Sequence, residues 1–259
     1  MNVNKMKIFA LVLARDKKHV ERKMAELDSL GIPFKIVCGE ELSDERVLYR
    51  PPRGKYDAIN YGTKFLPPDS EIILMNDVDT EIKNLESALN DFRDPNVGLV
   101  FARVGVQNGP QTSFYKLLDV IRSKILITSS GELILIRKEL LDKIVPMKAC
   151  KAEDSYIMFK VLEFKQRVVF NQETYVKTDR TNVPSEEEKY KRRTVGGLYQ
   201  ALSMSKPPII IRVFYTLLPL ASPILLILGE KGFYWMRGIL LGYVDYLRGD
   251  VSGQWKQTY

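Results

Sequence analysis

The sequence predicts an α/β protein whose sheet is mostly parallel and flanked by helices. Apolar runs of strand length at 7–14, 34–39 and 71–76 alternate with helical patterns at 19–30 and 57–66. Strand, helix, strand, helix, strand in short succession is typical of βαβ units. The chain has 259 residues, of which 45% are hydrophobic, so it is long and apolar enough to bury a substantial core.

The next part of the chain continues this alternation. The segment 84–94 has a helical pattern, and the apolar run at 97–106 predicts another strand. ELILIRKELLDKI (132–144) predicts a strand that runs into a helix. A helix is then predicted at 152–164 and further strand material at 166–178.

The chain becomes strongly apolar after a polar, charged stretch at 180–193, which is predicted as a mobile loop or the start of a solvated helix. The segment 207–229 carries one charge, Arg212, and approaches the ~20 residues that span a hydrocarbon core. Pro219 and Pro223 would kink it, which leaves a re-entrant or interfacial helix open.

The last helical pattern, GFYWMRGILLGYVDYLRG (232–249), is amphipathic and rich in aromatic residues, which suits the bilayer interface. An ordinary helical pair that covers the sheet would also explain both apolar segments, because apolar length alone does not exclude a buried helix. We therefore expect a main domain at 1–203 and a C-terminal, membrane-associated helical hairpin at 204–259.

Composition restricts the chemistry. Cys38 and Cys150 are the only cysteines and His19 is the only histidine, which argues against a disulfide scaffold and a zinc site. Lys and Arg outnumber Asp and Glu by 39 to 32, and the net charge of +7 suits nucleotide diphosphates, nucleic acid or an acidic lipid surface. The N-terminal apolar run is short and has no cleavage pattern, so it predicts a first strand in a cytoplasmic protein.

Two carboxylates, Asp77 and Asp79, follow the third apolar run at the carboxyl edge where ligands bind in such sheets. In an extended tip, residues two apart point the same way, and hard cations such as Mg²⁺ or Mn²⁺ bind such oxygens together with substrate phosphates. Turn chemistry is the simpler alternative, because Asp is favoured where strands end.

Further polar motifs stand in a fixed order around this pair. They are Lys55, Ala58, Asn60 and Gly62 upstream, and Gly131, Arg137, Lys138, Glu153 and Asp154 downstream. The ordered set resembles the family 2 glycosyltransferases of the GT-A fold. That family has a Lys-x-x-Ala-x-Asn-x-Gly segment, then Asp-x-Asp, a Gly-x5-Arg-Arg-like element and a Glu-Asp pair.

The resemblance implies a GT-A fold, a Rossmann-like mixed sheet, and a role for each matched residue. Asp77 would contact the nucleotide part of the donor and Asp79 a Mg²⁺ or Mn²⁺ on its diphosphate. Lys55 and Asn60 would lie near the nucleotide. Asp154 would be the general base that takes the proton of an acceptor hydroxyl. Gly131, Arg137 and Glu153 are carried over as substrate-binding positions.

Two departures from the family pattern concern the donor site. A Gln-x-x-Arg-Trp signature is matched only in part by Tyr190, Arg193 and Thr194, so Arg192 and Arg193 are predicted to close over the diphosphate or to form a solvated or lipid-facing basic patch. Where relatives carry acids that grip the nucleobase, the chain has Glu40, which is the candidate for that role.

The predicted function is a metal-dependent, inverting glycosyltransferase in polysaccharide or glycoconjugate biosynthesis. It would move a sugar from a nucleotide-sugar donor to a lipid-linked or glycan acceptor at the cytoplasmic membrane face, with the catalytic domain on the cytoplasmic side and no nucleic-acid partner. A nucleotidyltransferase is an alternative, but it needs a glycine-rich loop after the first strand, where the chain reads LARDKKHVER. A non-catalytic membrane-bound binding module is a second alternative.

Overall fold

A single mixed sheet forms the centre of the molecule in the computed structural model, which describes residues 6–106, 112–178 and 183–250. The strands of these residues are ordered β3-β2-β1-β4-β7-β6-β8-β5. Their bounds are Ile8–Ala14 (β1), Phe34–Cys38 (β2), Val47–Tyr49 (β3), Ile72–Asp77 (β4), Glu81–Lys83 (β5), Val97–Val106 (β6), Leu133–Arg137 (β7) and Arg167–Thr178 (β8).

Most strands run in one direction. β1 is parallel to β2 and β4, β2 is parallel to β3, and β6 is parallel to β8. Only β7 and β5 are antiparallel to their neighbours. The predicted mixed, mostly parallel sheet is therefore confirmed. Leu13 on β1 pairs with Asp77 on β4, so the ends of these strands meet at one edge of the sheet.

Helices cover both faces of the sheet. Their bounds are Val20–Ser29 (α1), Lys55–Gly62 (α2), Leu85–Asp91 (α3), Thr112–Lys124 (α4), Lys138–Ile144 (α5), Glu153–Glu163 (α6), Pro184–Ser203 (α7), Ile209–Ala221 (α8) and Gly229–Leu247 (α9), with 3-10 turns at Thr63–Phe65 and Ser222–Leu228. Alternate strand residues divide between the two faces. Ile73 and Met75 pack with α2, α5 and α6, whereas Ile72 and Leu74 pack with α1 and α3. Both faces of β4 are buried, which explains its continuous apolar sequence.

Some elements differ from the predictions. The short strands β3 and β5 and the helix α4 were not predicted, because three-residue strands and a helix with mixed polarity give weak periodic signals. Within the stretch 180–193, residues 180–182 lie outside the described part. From Pro184 onward the stretch belongs to α7, a helix of 20 residues. The loop interpretation is wrong for these positions. The helix start is confirmed, although Glu187 and Lys191 are buried and not solvated.

The polar helix α7 is held by close contact with α9. A Cβ added at Gly238 would lie 2.7 Å from Lys191 Cβ, and one added at Gly242 would lie 2.5 Å from the Arg192 carbonyl oxygen. The two glycines are one turn apart on α9, so they allow its backbone to approach α7 directly. Packing of this kind depends on several distant residues and leaves little trace in the local sequence of α7.

The apolar C-terminal segment is helical from Ile209 to Leu247, with an irregular position at Gly229, where φ is 68°. α8 ends at Ala221, and a 3-10 turn containing Pro223 leads into α9. Its inner residues Ile211, Tyr215 and Ile239 belong to the core on one face of the sheet. Its outer residues are exposed, with Leu220 79% and Ile227 82% accessible. The segment thus packs against the sheet domain on one side and presents an apolar surface on the other.

Replacing Gly242 by leucine is expected to destabilise the protein by about 1–3 kcal/mol, because the new side chain must push α9 away from the α7 backbone. Thermal unfolding in detergent measures the effect. Leu247→Ala, at an exposed position near the end of the same helix, is the control and should change stability by less than about 0.5 kcal/mol. Equal melting temperatures for both variants would contradict the close packing.

Candidate active site

An ammonium group lies between carboxylates at the carboxyl edge of the sheet. Lys55 Nζ lies 2.7 Å from both carboxylate oxygens of Asp77 and 3.8 Å from Glu153 Oε1. The three residues come from the start of α2, the end of β4 and the start of α6. Gly54 precedes Lys55 with φ of 129°, a conformation that favours glycine, and so sets the direction in which α2 begins. The fold therefore brings three predicted site residues into one ion cluster.

Burial shifts the ionisation of this cluster. It raises the pKa of Asp77 to about 6, against the effect of Lys55, and the nearby charge of Asp79 adds to the rise. It also raises the pKa of Glu153 to about 7, again with Lys55 opposing. Burial alone would lower the pKa of Lys55, but the two carboxylates outweigh it and raise the pKa. Lys55 thus stays charged, while the acids change protonation near neutral pH.

Asp154 lies beside this cluster in the first turn of α6. Its Oδ1 accepts a hydrogen bond of 2.7 Å from the Ser155 backbone N–H, and burial raises its pKa. Gly131 faces it closely, because a Cβ added there would lie 3.1 Å from Asp154 Oδ2. Two motifs that are far apart in sequence therefore meet at this carboxylate. A partly buried acid with a raised pKa that lines a cavity has the chemistry of a general base.

The turn after β4 differs from the predicted extended tip. The strand ends at Asp77, and the Thr80 N–H and hydroxyl both donate to the Asp77 carbonyl oxygen, which closes a turn. Val78 is buried and Asp79 is exposed. The turn, and not strand alternation, therefore sets the direction of the Asp79 side chain.

A buried lysine on α1 holds this turn in place. Lys23 is fully buried, and its Nζ lies 2.6 Å from each of three oxygens, on Glu26, Asn76 and the Thr80 backbone. Glu26 also accepts a hydrogen bond from the Ile82 N–H. Lys23 thereby fixes both ends of the segment that carries Asp77 and Asp79. A buried ammonium with three acceptors is costly to replace, because each acceptor would lose its partner.

The carboxylate oxygens of the turn after β4 are suitable ligands for a hard divalent cation. Asp77 and Asp79 offer carboxylate oxygens, and Asp79 is accessible to a ligand. No group of three or more His, Cys, Asp or Glu side chains within residues 6–106, 112–178 and 183–250 is arranged to hold a metal by itself. Such a pair suits Mg²⁺ or Mn²⁺ that is completed by substrate phosphates and water.

Two predicted substrate-binding residues have structural partners. The Asn60 side chain donates to the Met147 carbonyl oxygen and accepts from the Met147 N–H, at 2.8 and 2.7 Å, so it ties α2 to the chain beyond α5. Arg137 donates to the carbonyl oxygens of Phe92, Asp94 and Val97.

Arg137 lies away from the ion cluster, at the other end of β4, and its contact with a substrate stays a prediction. It pairs with Ile72 at the start of β4, whereas Asp77 ends that strand. The two ends are separated by about 17 Å at the usual rise per residue. Because β7 runs antiparallel to β4, the family-like spacing from Gly131 to Arg137 leads away from the site.

The remaining predicted donor residues lie around the same edge or beyond it. Glu40 follows β2, is exposed, and accepts a hydrogen bond from the Lys17 N–H. Arg192 forms a two-point ion pair with Asp245 on α9, at 2.6 and 2.7 Å. Arg193 lies over the Tyr190 ring. Contacts of these residues with a donor stay predictions.

Sequence reasoning missed several charged residues near the site. Glu132 raises the pKa values of Lys55, Asp77 and Asp154. It directly follows Gly131, in a motif whose resemblance to the family rests on Gly131, Arg137 and Lys138. Lys23 and Arg122 are buried charges on helices α1 and α4. No local feature of the sequence distinguishes Lys23 or Arg122 from the lysines and arginines that are exposed to solvent.

The sequence matches no protein-family model and no curated protein. The fold is similar to that of solved GT-A glycosyltransferases. A mannosyltransferase from Pyrobaculum calidifontis, in complex with GDP-Man and Mn²⁺, matches with a TM-score of 0.71 and 16% identity over 95% of this chain and 88% of that chain.

Weaker matches include S. aureus TarS 1–349, with a TM-score of 0.48 and 16% identity over 96% of this chain and 93% of that one. A thymidylyltransferase from Bacillus anthracis has a TM-score of 0.44 and 13% identity over 65% and 88% of the two chains. At these scores and identities the similarities carry no functional argument. The GT-A-type fold rests on the mannosyltransferase match.

As the pH rises from 5 to 8, the free energy of unfolding of Glu153→Gln should increase relative to that of wild type. The pKa of Glu153 is raised from 4.5 to about 7 in the folded state, so wild type loses stability as the pH rises through that window. Glutamine cannot ionise and avoids this loss. Melting temperatures measured at several pH values test the prediction, and each kcal/mol corresponds to about 2–4 °C.

Glu21→Gln is the matched control, because Glu21 occupies the first turn of α1 but is exposed. Its difference from wild type should stay constant over the same pH range. A Glu153→Gln difference that is equally constant would show that Glu153 ionises normally in the folded protein.

Proposed function

We propose that the protein is a metal-dependent, inverting glycosyltransferase that uses a nucleotide-sugar donor. The observation that carries the proposal is the partly buried carboxylate of Asp154 next to the Lys55–Asp77 ion pair, at the carboxyl ends of the strands of a GT-A-type sheet. The fold match to a mannosyltransferase in complex with GDP-Man and Mn²⁺ supports the same chemistry.

The donor would bind at the edge formed by Lys55, Asp77 and Asp79, with Glu40 nearby. Asp77 and Asp79 would hold Mg²⁺ or Mn²⁺, which when bound neutralises negative charge on the diphosphate. Lys55 adds a positive charge that is already held in place by Asp77. Because these charges are fixed before the donor arrives, they need little reorganisation as the diphosphate leaves.

Asp154 would act on the acceptor. Its carboxylate takes the proton of the attacking hydroxyl while the oxygen forms a bond to the anomeric carbon. The bond from that carbon to the diphosphate oxygen breaks, and the nucleoside diphosphate leaves with the electron pair. Attack opposite the leaving group inverts the configuration. The raised pKa makes Asp154 a stronger base, and Gly131 leaves space beside it.

Replacing Asp154 by asparagine should lower sugar transfer by about 10²–10⁴-fold while nucleotide-sugar binding is retained, because only the base is removed. Asp79→Asn should raise the Mn²⁺ concentration needed for half-maximal activity. Initial rates of donor consumption and donor-dependent thermal stabilisation measure the two effects.

Asp69→Asn is the control for both variants, because Asp69 is exposed and pairs with Lys7 at the opposite edge of the sheet. If neither site variant changes transfer or donor hydrolysis, the catalytic assignment fails and a binding module is favoured. Release of pyrophosphate from a nucleoside triphosphate and a sugar phosphate would instead indicate a nucleotidyltransferase.

We further propose that the C-terminal segment lies in the membrane interface on the cytoplasmic side and receives a lipid-linked or glycan acceptor there. α8 has 13 residues and is about 20 Å long, shorter than a hydrocarbon core of about 30 Å. Ile210, Leu217, Leu220, Ile224 and Ile227 are all exposed on its outer side and on the following turn. The net charge of +7 suits an anionic leaflet.

The exposed apolar surface predicts that the protein binds membranes and which treatments extract it. It should sediment with vesicles, stay bound in high salt because apolar contact is not screened, and be released by detergent. Leu220→Asp combined with Ile227→Asp should shift it to the supernatant. Leu30→Asp, at an exposed apolar position after α1, is the control. Retention of the double variant in carbonate-washed membranes would instead indicate a spanning segment.

A further inference from the structure

A cavity of about 220 Å³ adjoins Asp154 on the side of the C-terminal helices. Most of its wall is apolar and comes from α4, α7, α8 and α9, including Ile121, Leu198, Phe214 and Ile239. Asp154 lies in the same wall. An apolar chamber beside a proposed catalytic base is a site for a hydrophobic part of a substrate.

One wall of this cavity carries a buried cation with unused hydrogen-bonding capacity. Arg122 is 6% exposed, its Nη2 donates to the Ser129 carbonyl oxygen at 3.4 Å, and its Nη1 lies 3.6 Å from the Asp119 carboxylate. Arg122 Nε and Nη1 and the Ser129 hydroxyl have no hydrogen-bond partner among the residues that the structure describes. Unpaired groups of this kind are costly unless a ligand satisfies them.

The second cation in the wall is already compensated. Lys191 Nζ lies 3.8 Å from the centroid of the Trp235 ring and 3.5 Å from Glu187 Oε1. Arg122 is 3.6 Å from the Asp119 carboxylate, and its charge also lowers the pKa of Asp154, but its Nε and Nη1 make no hydrogen bond within the described residues. Its planar fork also matches phosphate oxygens better than an ammonium does. The two observations together single out Arg122 as the position where an anionic group would bind.

The cavity is separated from the exposed apolar surface by α8. Phe214 and Leu218 of this helix line the cavity, whereas Leu217 and Leu220 point outward. A lipid chain that rests on the outer surface would therefore be next to the cavity wall. This placement favours an amphipathic ligand over a fully soluble one.

We propose that this cavity binds the acceptor and that the acceptor is a lipid-linked phosphate compound. Its phosphate pairs with Arg122 and Ser129, its apolar chain contacts the α8 side of the cavity, and its hydroxyl reaches Asp154. The inference rests on the proposed glycosyltransferase function, because it assigns the acceptor of that same site.

Dodecyl phosphate, dodecanol and inorganic phosphate are suitable probes, with the full chain in detergent. In a Trp255→Phe background Trp235 is the only tryptophan, and its fluorescence reports on the cavity. Dodecyl phosphate is expected to bind at least about tenfold more tightly than dodecanol, as a charge-assisted hydrogen bond implies, and inorganic phosphate should bind weakly. Failure of both dodecyl compounds to change the fluorescence would overturn the proposal.

Arg122→Met should abolish the preference for phosphate over alcohol and leave dodecanol binding unchanged, and Arg122→Lys should restore part of the preference. An unchanged preference in Arg122→Met would contradict the assignment of the anion site. Because Arg122→Met is a core change, Leu218→Phe provides a second test: it narrows the cavity from α8, leaves Trp235 as the only tryptophan, and should weaken the binding of both dodecyl compounds.

Two further measurements separate an acceptor from other anionic lipids. Dodecyl phosphate should reduce transfer of radiolabelled sugar into a lipid extract. Equally tight binding of a short-chain phosphatidylglycerol would show a general anionic-lipid site and overturn the acceptor assignment. The fluorescence measurements need no nucleotide-sugar donor, so they detect lipid-phosphate binding whether or not the protein transfers sugar. Failure of the acceptor proposal can therefore be distinguished from failure of the glycosyltransferase proposal.

Discussion

The arrangement of the site depends on one partly buried ammonium, Lys55, which lies between carboxylates from β4 and α6. Without it, Asp77 and Glu153 would be like charges in a poorly solvated space, and their burial already raises both pKa values. Lys55 therefore stabilises the ionised forms of Asp77 and Glu153, which would otherwise repel each other at the carboxyl ends of the strands. Asp154 belongs to the same electrostatic group, since Lys55 opposes the rise of its pKa.

A second ammonium, which is fully buried, supports the site from the other face of the sheet. Lys23 binds the turn after β4 through Asn76 and Thr80, so α1 determines where Asp77 and Asp79 lie. The site is thus held from both faces of the sheet, by Lys55 on one face and Lys23 on the other. Rigid support of this kind is what preorganised charge stabilisation requires.

The C-terminal helices connect this site with an apolar surface. The close approach of α9 to α7 at Gly238 and Gly242 positions α7 beside the cavity next to Asp154. The basic residues of α7 then take different roles: Arg192 pairs with Asp245, and Lys191 lies among aromatic rings. The cluster predicted as one basic segment is divided by the helix into separate environments, because neighbouring positions of a helix face different directions.

The sequence by itself determined the order of the main strands and helices, the position of Asp77 at the end of β4, and the apolar nature of the C-terminal segment. Periodicity and strand ends are local features that a linear pattern records. Tertiary structure alone decided that Gly131 meets Asp154, that Arg137 lies at the opposite edge, and that Lys23 and Arg122 are buried. The reason is physical: burial and pairing of a charge depend on which distant elements pack around it, and one residue's sequence neighbours do not specify them.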